Sequence, residues 1–165
     1  MIELAPEWKR SLTLANPLIL ASGALSDAAA GAIVSPPLTL NPRAGAPLPR
    51  VVNVPGGVLL RTGGANPGLD RFLRESRRSW ESRGLPIVVA LAAQGAGDWP
   101  GMATRLDHEP GIAGIELCLN PTIRAADAIH ATRVATELPI LVKLDLDQAT
   151  AIAADCVAAG ANCLV

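Results

Sequence analysis

The chain has 165 residues, of which 50% are hydrophobic and 18% are charged, and its formal net charge is -1. These values predict one folded domain with a hydrophobic core and exclude an intrinsically disordered chain. The near-neutral charge argues against a nucleic-acid partner, and no apolar run reaches the ~20 residues that a membrane-spanning helix needs.

The three cysteines, Cys118, Cys156 and Cys163, are unevenly spaced, and no pair has the C-x-x-C spacing of a metal site. We therefore expect reduced thiols and no bound metal, as is typical of a cytoplasmic protein. The start of the chain carries Glu3 and Glu7 ahead of its first basic residue, which does not resemble a signal peptide.

Six short apolar runs predict β-strands along the chain. They are residues 18–21, 32–34, 86–91, 112–118, 139–144 and a last run that begins at 163. Most are continuous rather than alternating, as expected for parallel strands that are buried on both faces.

The segments between the later strands have helical periodicity. From Leu69 to Trp80 the apolar residues form one stripe, and Pro67-Gly68 precede it, where a helix can begin. Residues 125–136 and 148–159 are also predicted helices, the second ending at Gly160. Five arginines surround the first stripe, either as a solvated helix face or as an anion site: Arg71, Arg74, Arg77, Arg78 and Arg83.

Residues 35–68, after the second strand, interrupt this alternation. The segment holds seven prolines and the glycine pairs Gly56-Gly57 and Gly63-Gly64, so it is too rich in helix breakers for a helix. We expect a long shaped loop, which is either a functional lid or binding loop or a structural excursion over the mouth of a barrel.

Alternating strands and helices predict a parallel sheet with right-handed crossovers. Both a doubly wound sheet and a (β/α)₈ barrel fit this pattern. No G-x-G-x-x-G sequence follows a strand and opens a helix, which disfavours a dinucleotide-binding unit.

Several motifs, in order along the chain, resemble those of the dihydroorotate dehydrogenases. The segment 16–23 (NPLILASG) resembles N-P-x-x-x-A-S-G, and 38–50 resembles T-x-x-P-R-x-G-N-P-x-P-R. Gly63 with Asn66-Pro67-Gly68 resembles G-L-x-N-P-G, 115–117 resembles I-E-(L/I)-N, and 138–144 resembles P-x-x-V-K-(L/I). Each match is short, but their shared order and spacing make the resemblance specific.

The resemblance implies a TIM-type (β/α)₈ barrel of the α/β class. A whole barrel takes ~250 residues, so residues 1–165 are expected to form one partial domain with the first five to six β/α units. The unpaired edges of such an incomplete barrel predict a homo- or hetero-oligomer that covers them.

The family binds flavin mononucleotide (FMN) and oxidises dihydroorotate to orotate in pyrimidine biosynthesis. By resemblance, the cofactor-binding residues are Ala21, Ser22, Gly23, Gly63 and Lys143, and Asn66 is a substrate-binding candidate. A glycine lets the ring system approach the backbone, and a lysine stabilises the anionic reduced flavin. The alternative for Lys143 is a lysine at a strand end with its amine in solvent.

The chain also departs from the family where substrate and proton are handled. Pro36 and Pro37 occupy the positions of a lysine and a serine or threonine, and Leu60 falls near a substrate-binding asparagine. Cys118 is either a catalytic base or a strand-end thiol, since it aligns with the asparagine that follows I-E-L rather than with the family's base. These departures argue against dihydroorotate oxidation by this chain alone.

Two further hypotheses therefore stay open. One is a non-catalytic structural or interaction subunit derived from the same fold, which the loss of the substrate-handling residues favours. The other is a related flavin barrel that acts on a more apolar small molecule.

Overall fold

The computed structural model describes residues 1–21, 30–119 and 123–165, with the backbone alone for residues 77, 78 and 81. The strands are β1 (Ile2–Glu3), β2 (Thr13–Leu14), β3 (Ile19–Leu20), β4 (Ala32–Val34), β5 (Val51–Val54), β6 (Gly57–Leu60), β7 (Ile87–Leu91), β8 (Ile112–Cys118), β9 (Ile140–Lys143) and β10 (Cys163–Leu164). The helices are α1 (Leu69–Arg83), α2 (Asp98–Asp107), α3 (Ala125–Arg133) and α4 (Leu146–Ala158).

Six strands form one parallel sheet in the order β10-β9-β8-β7-β4-β3. Each new strand joins the same edge of the sheet, in the order in which the chain makes it. A doubly wound sheet reverses direction at a switch point, whereas a (β/α)₈ barrel does not. The sheet is curled into half of a barrel, which confirms the incomplete TIM-type fold.

The two faces of this sheet are buried in different cores, because successive side chains of a strand point to opposite faces. Val89 and Leu91 of β7 pack in the larger cluster with residues of the helices, among them Trp99 and Ile129. Ala90 of the same strand belongs to the second cluster, which lies on the concave side of the sheet. Both faces are apolar, which explains why the strands read as continuous hydrophobic runs.

A small hairpin of β1 and β2 packs against this concave side. Leu12 and Leu14 are each only 1% exposed and belong to the inner cluster. Leu12 lies against Gly114, near the start of β8, so the hairpin covers the amino ends of the strands. The carboxyl ends are therefore the side of the half-barrel where a ligand can enter.

The predicted helices are present with small shifts at their ends. Helix α1 continues to Arg83 and stops at Gly84, whose φ of 63° is left-handed. Helix α4 begins at Leu146 and ends at Ala158, two residues before Gly160. The φ of Gly160 is 111°, a positive value that favours glycine. Arg71 and Arg74 are exposed, and Arg71 pairs with Glu75 at 2.7 Å, as on a solvated helix face.

Residues 35–68 contain no helix, as predicted, but they include two β-strands that the sequence analysis did not predict. Strands β5 and β6 form an antiparallel hairpin whose eight residues are all exposed. A further bridge joins Arg43 to Asn66 and closes the base of the segment. In the described ranges, no helix combines the length and the apolar character needed to cross a bilayer.

Candidate functional site

One cleft gathers side chains from the carboxyl ends of four strands on the concave side of the sheet. Its volume is ≈ 110 Å³. Ala21 follows β3, Pro37 follows β4, Glu116 lies near the end of β8, and Lys143 is the last residue of β9. Active sites of (β/α)₈ barrels lie at this end of the strands, so the cleft is the candidate site.

Glu116 is the charged side chain that the fold buries most completely among the residues described. It is 4% exposed, although it lies in an otherwise apolar strand. Its Oε1 lies 3.9 Å from Lys143 Nζ and accepts a weak hydrogen bond from the Cys118 thiol at 3.7 Å. The strand register explains the grouping, because Cys118 is directly opposite Lys143. A buried carboxylate is costly unless it is paired, so this cluster needs a reason.

The thiol of Cys118 is half-buried at the end of β8. Burial, and then the negative charge of Glu116, raise its pKa to about 11, although Lys143 acts in the opposite direction. Cys118 is therefore protonated at neutral pH. A base must be unprotonated to accept a proton, so this environment favours the reading of Cys118 as a strand-end thiol.

One wall of the cleft is formed by the end of β4 and the residues that follow it. Ser35 is buried, and its hydroxyl accepts a hydrogen bond from the Ala90 amide at 2.9 Å and donates one to the Pro36 carbonyl. Ser35 thus links the end of β4 to β7. Its hydroxyl is hydrogen-bonded to the backbone through both its acceptor and its donor. Pro37, next in the wall, offers neither a donor nor a charge to a ligand.

The structure brings together two of the predicted cofactor residues. Ala21 and Lys143 line the same cleft, although 122 positions separate them along the chain (143 − 21). Lys143 is half exposed, with its side chain 53% accessible, and is both at a strand end and at the cleft. Ser22 and Gly23 lie outside the described residues. Gly63 and Asn66 do not line the cleft and belong to the 35–68 segment.

Asn66 has a clear role within that segment. Its Oδ1 accepts hydrogen bonds from the amides of Gly68 at 2.9 Å and Thr39 at 3.2 Å, and it lies 3.1 Å from Thr39 Oγ1. Its Nδ2 donates to the Gly64 carbonyl at 2.9 Å. One carboxamide therefore ties the start of α1 to the chain that leaves β4. These contacts explain the asparagine without a substrate.

Gly63 also has a local reason to be glycine. Its φ is 65°, and a Cβ at this position would overlap the amide nitrogen of Ala46. The Ala46 amide donates to the Thr62 carbonyl at 3.0 Å, so the chain near Ala46 and the chain near Gly63 lie in close contact. Its predicted contact with a cofactor stays a prediction.

A second, larger cavity of ≈ 370 Å³ opens between α3 and α4 and also touches Lys143. Its wall contains Arg124 and Asp155, but neither Ala21 nor Pro37. We take the smaller cleft as the candidate site because it faces the concave side and unites Ala21 and Lys143, two of the positions singled out by the motifs. Among the described residues, no three His, Cys, Asp or Glu side chains are grouped to hold a metal ion.

Glu116 is the site residue that sequence reasoning missed. The motif that contains it was recognised, but no role was assigned to the carboxylate. The signal was available, since a glutamate inside the apolar run IAGIELC is as unusual as a lysine inside PILVKL.

Comparison with known proteins gives relatives along nearly the whole chain. "Dihydroorotate dehydrogenase B (NAD(+)), catalytic subunit" of Desulforudis audaxviator (strain MP104C) is 32% identical over 178 residues, which cover 93% of this chain and 58% of the relative. The proteins of the same name from Trichlorobacter lovleyi and Geotalea daltonii are 31% and 30% identical, again over 93% of this chain. This chain thus spans 58–59% of the length of these relatives.

The sequence profile of the dihydroorotate dehydrogenase family matches residues 9–162, which include every strand of the half-barrel except the last and every one of the helices described. The half-barrel fold and the cleft at its carboxyl end agree with that match. The chain belongs to the dihydroorotate dehydrogenase family.

Proposed function

We propose that this chain forms the ring-binding part of an FMN site and that the whole protein to which such a half-barrel belongs oxidises dihydroorotate to orotate in pyrimidine biosynthesis. The observation that carries the proposal is the convergence of Ala21 and Lys143 on one cleft at the carboxyl end of the sheet. Such a protein acts on a small molecule, and we place it in the cytoplasm, as expected for a biosynthetic enzyme.

The residues present fit the edge of a flavin ring. Ala21 offers a small side chain in the lining of the cleft, which would let a flat ring approach the backbone closely, and Ser22 and Gly23 continue the same motif in the sequence. Lys143 offers a cation to the electron-rich edge of the ring. When bound, FMN supplies the hydride acceptor, and a nearby cation favours its reduced, anionic form.

The described residues do not supply all the groups that oxidation of dihydroorotate requires. Oxidation of a C–C bond requires a base for one proton, and a group that orients the substrate. Cys118 is the weak candidate for the base, and its pKa of about 11 keeps it protonated. Pro36 and Pro37 stand where the family has a lysine and a hydroxyl. The proposal therefore assigns cofactor binding to this chain and leaves the base unassigned.

The test is anaerobic reduction of bound flavin. The purified protein is loaded with FMN, separated from free FMN, and mixed with dihydroorotate while the visible absorption of the flavin is followed. Bleaching of the bound flavin supports the dehydrogenase. Bound flavin that dithionite bleaches and dihydroorotate does not would reject dihydroorotate oxidation by this chain and leave flavin binding intact.

A second function is favoured by two observations. Pro37 lines the cleft at the position where the family has a serine or threonine, and in the described part of the chain β3 and β10 each pair with one neighbour only. We propose as the alternative a non-catalytic interaction subunit that associates through these strand edges. Light scattering at several concentrations tests it, with a rise in mass expected and a concentration-independent monomer counting against it.

A further inference from the structure

Glu116 and Lys143 face each other without being hydrogen-bonded. Their 3.9 Å separation exceeds the 2.7–3.2 Å range of an N–H···O hydrogen bond. Among the described residues, the hydrogen-bond donor to the carboxylate is the Cys118 thiol, a weak donor. The pair therefore presents a hydrogen-bond acceptor and a hydrogen-bond donor side by side, both at the wall of the cleft.

The size and the lining of the cleft limit what can meet this pair. A volume of ≈ 110 Å³ is well below the ~300 Å³ at which pockets for whole drug-sized ligands begin, so the cleft takes the edge of a larger ligand. Its other walls are mainly apolar, with side chains such as Val34, Pro37 and Leu141. Polar recognition in the cleft is thus concentrated at Glu116 and Lys143.

We propose that Glu116 is a specificity-determining residue that accepts a hydrogen bond from the N–H of an imide edge, –CO–NH–CO–, while Lys143 donates to the neighbouring carbonyl. An imide places a donor directly beside an acceptor, which is the complement of a carboxylate beside an ammonium. The flavin ring carries such an edge, with its N–H at N3. The inference rests on the proposed binding of FMN and adds a residue and a ligand atom to it.

Burial increases the contribution of a hydrogen bond to Glu116 to ligand affinity, compared with the same bond at the protein surface. Glu116 is 4% exposed, and a carboxylate at such a place lacks water that could replace a missing partner. A ligand with an N–H gives the carboxylate a strong hydrogen bond in addition to its ion pair with Lys143, whereas a ligand without the N–H does not. Such an asymmetry is the usual source of strong discrimination between similar ligands.

The experiment compares FMN with its N3-methyl derivative, which differs by the loss of the N–H. Dissociation constants are measured by quenching of flavin fluorescence. For the unaltered chain we expect FMN to bind about 10- to 100-fold more tightly than the derivative, the range of a hydrogen bond to a charged group. In Glu116→Leu the two flavins should bind with similar affinity, because the acceptor is gone.

Leucine is close to glutamate in size, so a purely steric effect of the added methyl group would persist in Glu116→Leu. Glu75→Leu, on the exposed face of α1, is the matched control and should keep the full preference for FMN. Glu116→Gln, which keeps an acceptor oxygen, should keep part of it. Thermal unfolding of each variant confirms that the fold is retained.

Equal affinity of the unaltered chain for the two flavins would overturn the role of Glu116 and leave FMN binding intact. A preference for FMN that is unchanged in folded Glu116→Leu would overturn it as well. Failure of both flavins to bind would instead reject the proposed function, and this inference with it.

Discussion

Cys118 and Glu116 show how one neighbour changes the chemistry of a side chain. The thiol donates toward the carboxylate, and both lie at the end of a buried strand. Burial alone disfavours a thiolate, and the adjacent negative charge disfavours it further. A cysteine that looks attractive as a base in the sequence is thus held in its neutral form by the fold.

This account predicts the pH dependence of Cys118 alkylation. With iodoacetamide and peptide mapping, the rate at Cys118 should rise with an inflection near pH 11, against the ordinary thiol pKa of 9.0. Glu116→Gln should move the inflection to lower pH, because the neighbouring charge is removed. Cys163, whose pKa is raised by burial with no carboxylate among the causes, is the internal control and should not change. An unchanged profile at Cys118 would contradict the account.

The same shift has a consequence for stability. The pKa of Cys118 is higher in the folded chain than in the unfolded one, so the unfolded chain loses its proton first as the pH rises. The stability that the protonated thiol contributes is fully present below pH 9.0 and is lost as the pH approaches about 11. Cys118→Ala should reduce the loss of stability across that pH window, as measured by urea unfolding.

Asn66 gives a prediction at the same scale. Asn66→Ala removes the acceptor for the amides of Thr39 and Gly68 and should lower the free energy of unfolding by about 1–3 kcal/mol. Asn53→Ala, on the exposed hairpin, should stay within about 0.5 kcal/mol. Urea denaturation of both variants tests the assignment. Equal effects would show that the Asn66 contacts do not hold the segment.

At the scale of elements, the 35–68 segment is held by hydrogen bonds among its own residues. Its base is closed by the Arg43–Asn66 bridge, and Arg50 donates to the carbonyls of Ala44 and Ala46. The hairpin of β5 and β6 projects from this base with its apolar side chains exposed. We therefore expect a glycine of this base to tolerate substitution less well than a glycine of the hairpin.

Gly63→Ala and Gly56→Ala distinguish the cost of a left-handed backbone conformation from the cost of steric overlap with neighbouring atoms. Both glycines have a positive φ, 65° and 84°, so either alanine should cost about 1–2 kcal/mol for the left-handed conformation. At Gly63 the added Cβ would also overlap the backbone of Ala46, whereas at Gly56 no atom beyond the two chain neighbours lies within 4 Å of it. Gly63→Ala should therefore be the more destabilising by about 1–3 kcal/mol in urea unfolding. Equal losses would contradict the packing at Gly63.

At the scale of the whole molecule, the sequence predicts the barrel well where burial is two-sided. The strands at 32–34 and 112–118 have the predicted bounds, because continuous apolar runs leave little choice of register or end. Helix α2 was missed, since Pro100 and Gly101 obscure an apolar stripe of Trp99, Met102 and Leu106. Proline in the first turn is compatible with a helix, so the stripe was the better signal.

The hairpins and the site show what sequence cannot supply. All eight residues of β5 and β6 are exposed, so no alternation of burial marks them as strands. Ala21 and Lys143 were predicted from family motifs, and the curl of the sheet explains why they meet, because β8, β7 and β4 lie between their strands in the sheet order. The pairing of Glu116 with Lys143 depends on the register of β8 and β9, which the residues alone do not reveal.

The central claim is that the cleft at the carboxyl ends of the strands binds the ring of FMN through Lys143. The chain has two lysines, Lys9 and Lys143, so each can be replaced in turn. FMN is titrated into the unaltered chain, Lys143→Ala and Lys9→Ala, and quenching of flavin fluorescence gives each dissociation constant. We predict saturable binding that weakens about tenfold or more in Lys143→Ala and is unchanged in Lys9→Ala. Absence of saturable binding, or equal affinities in the two variants, would contradict the claim.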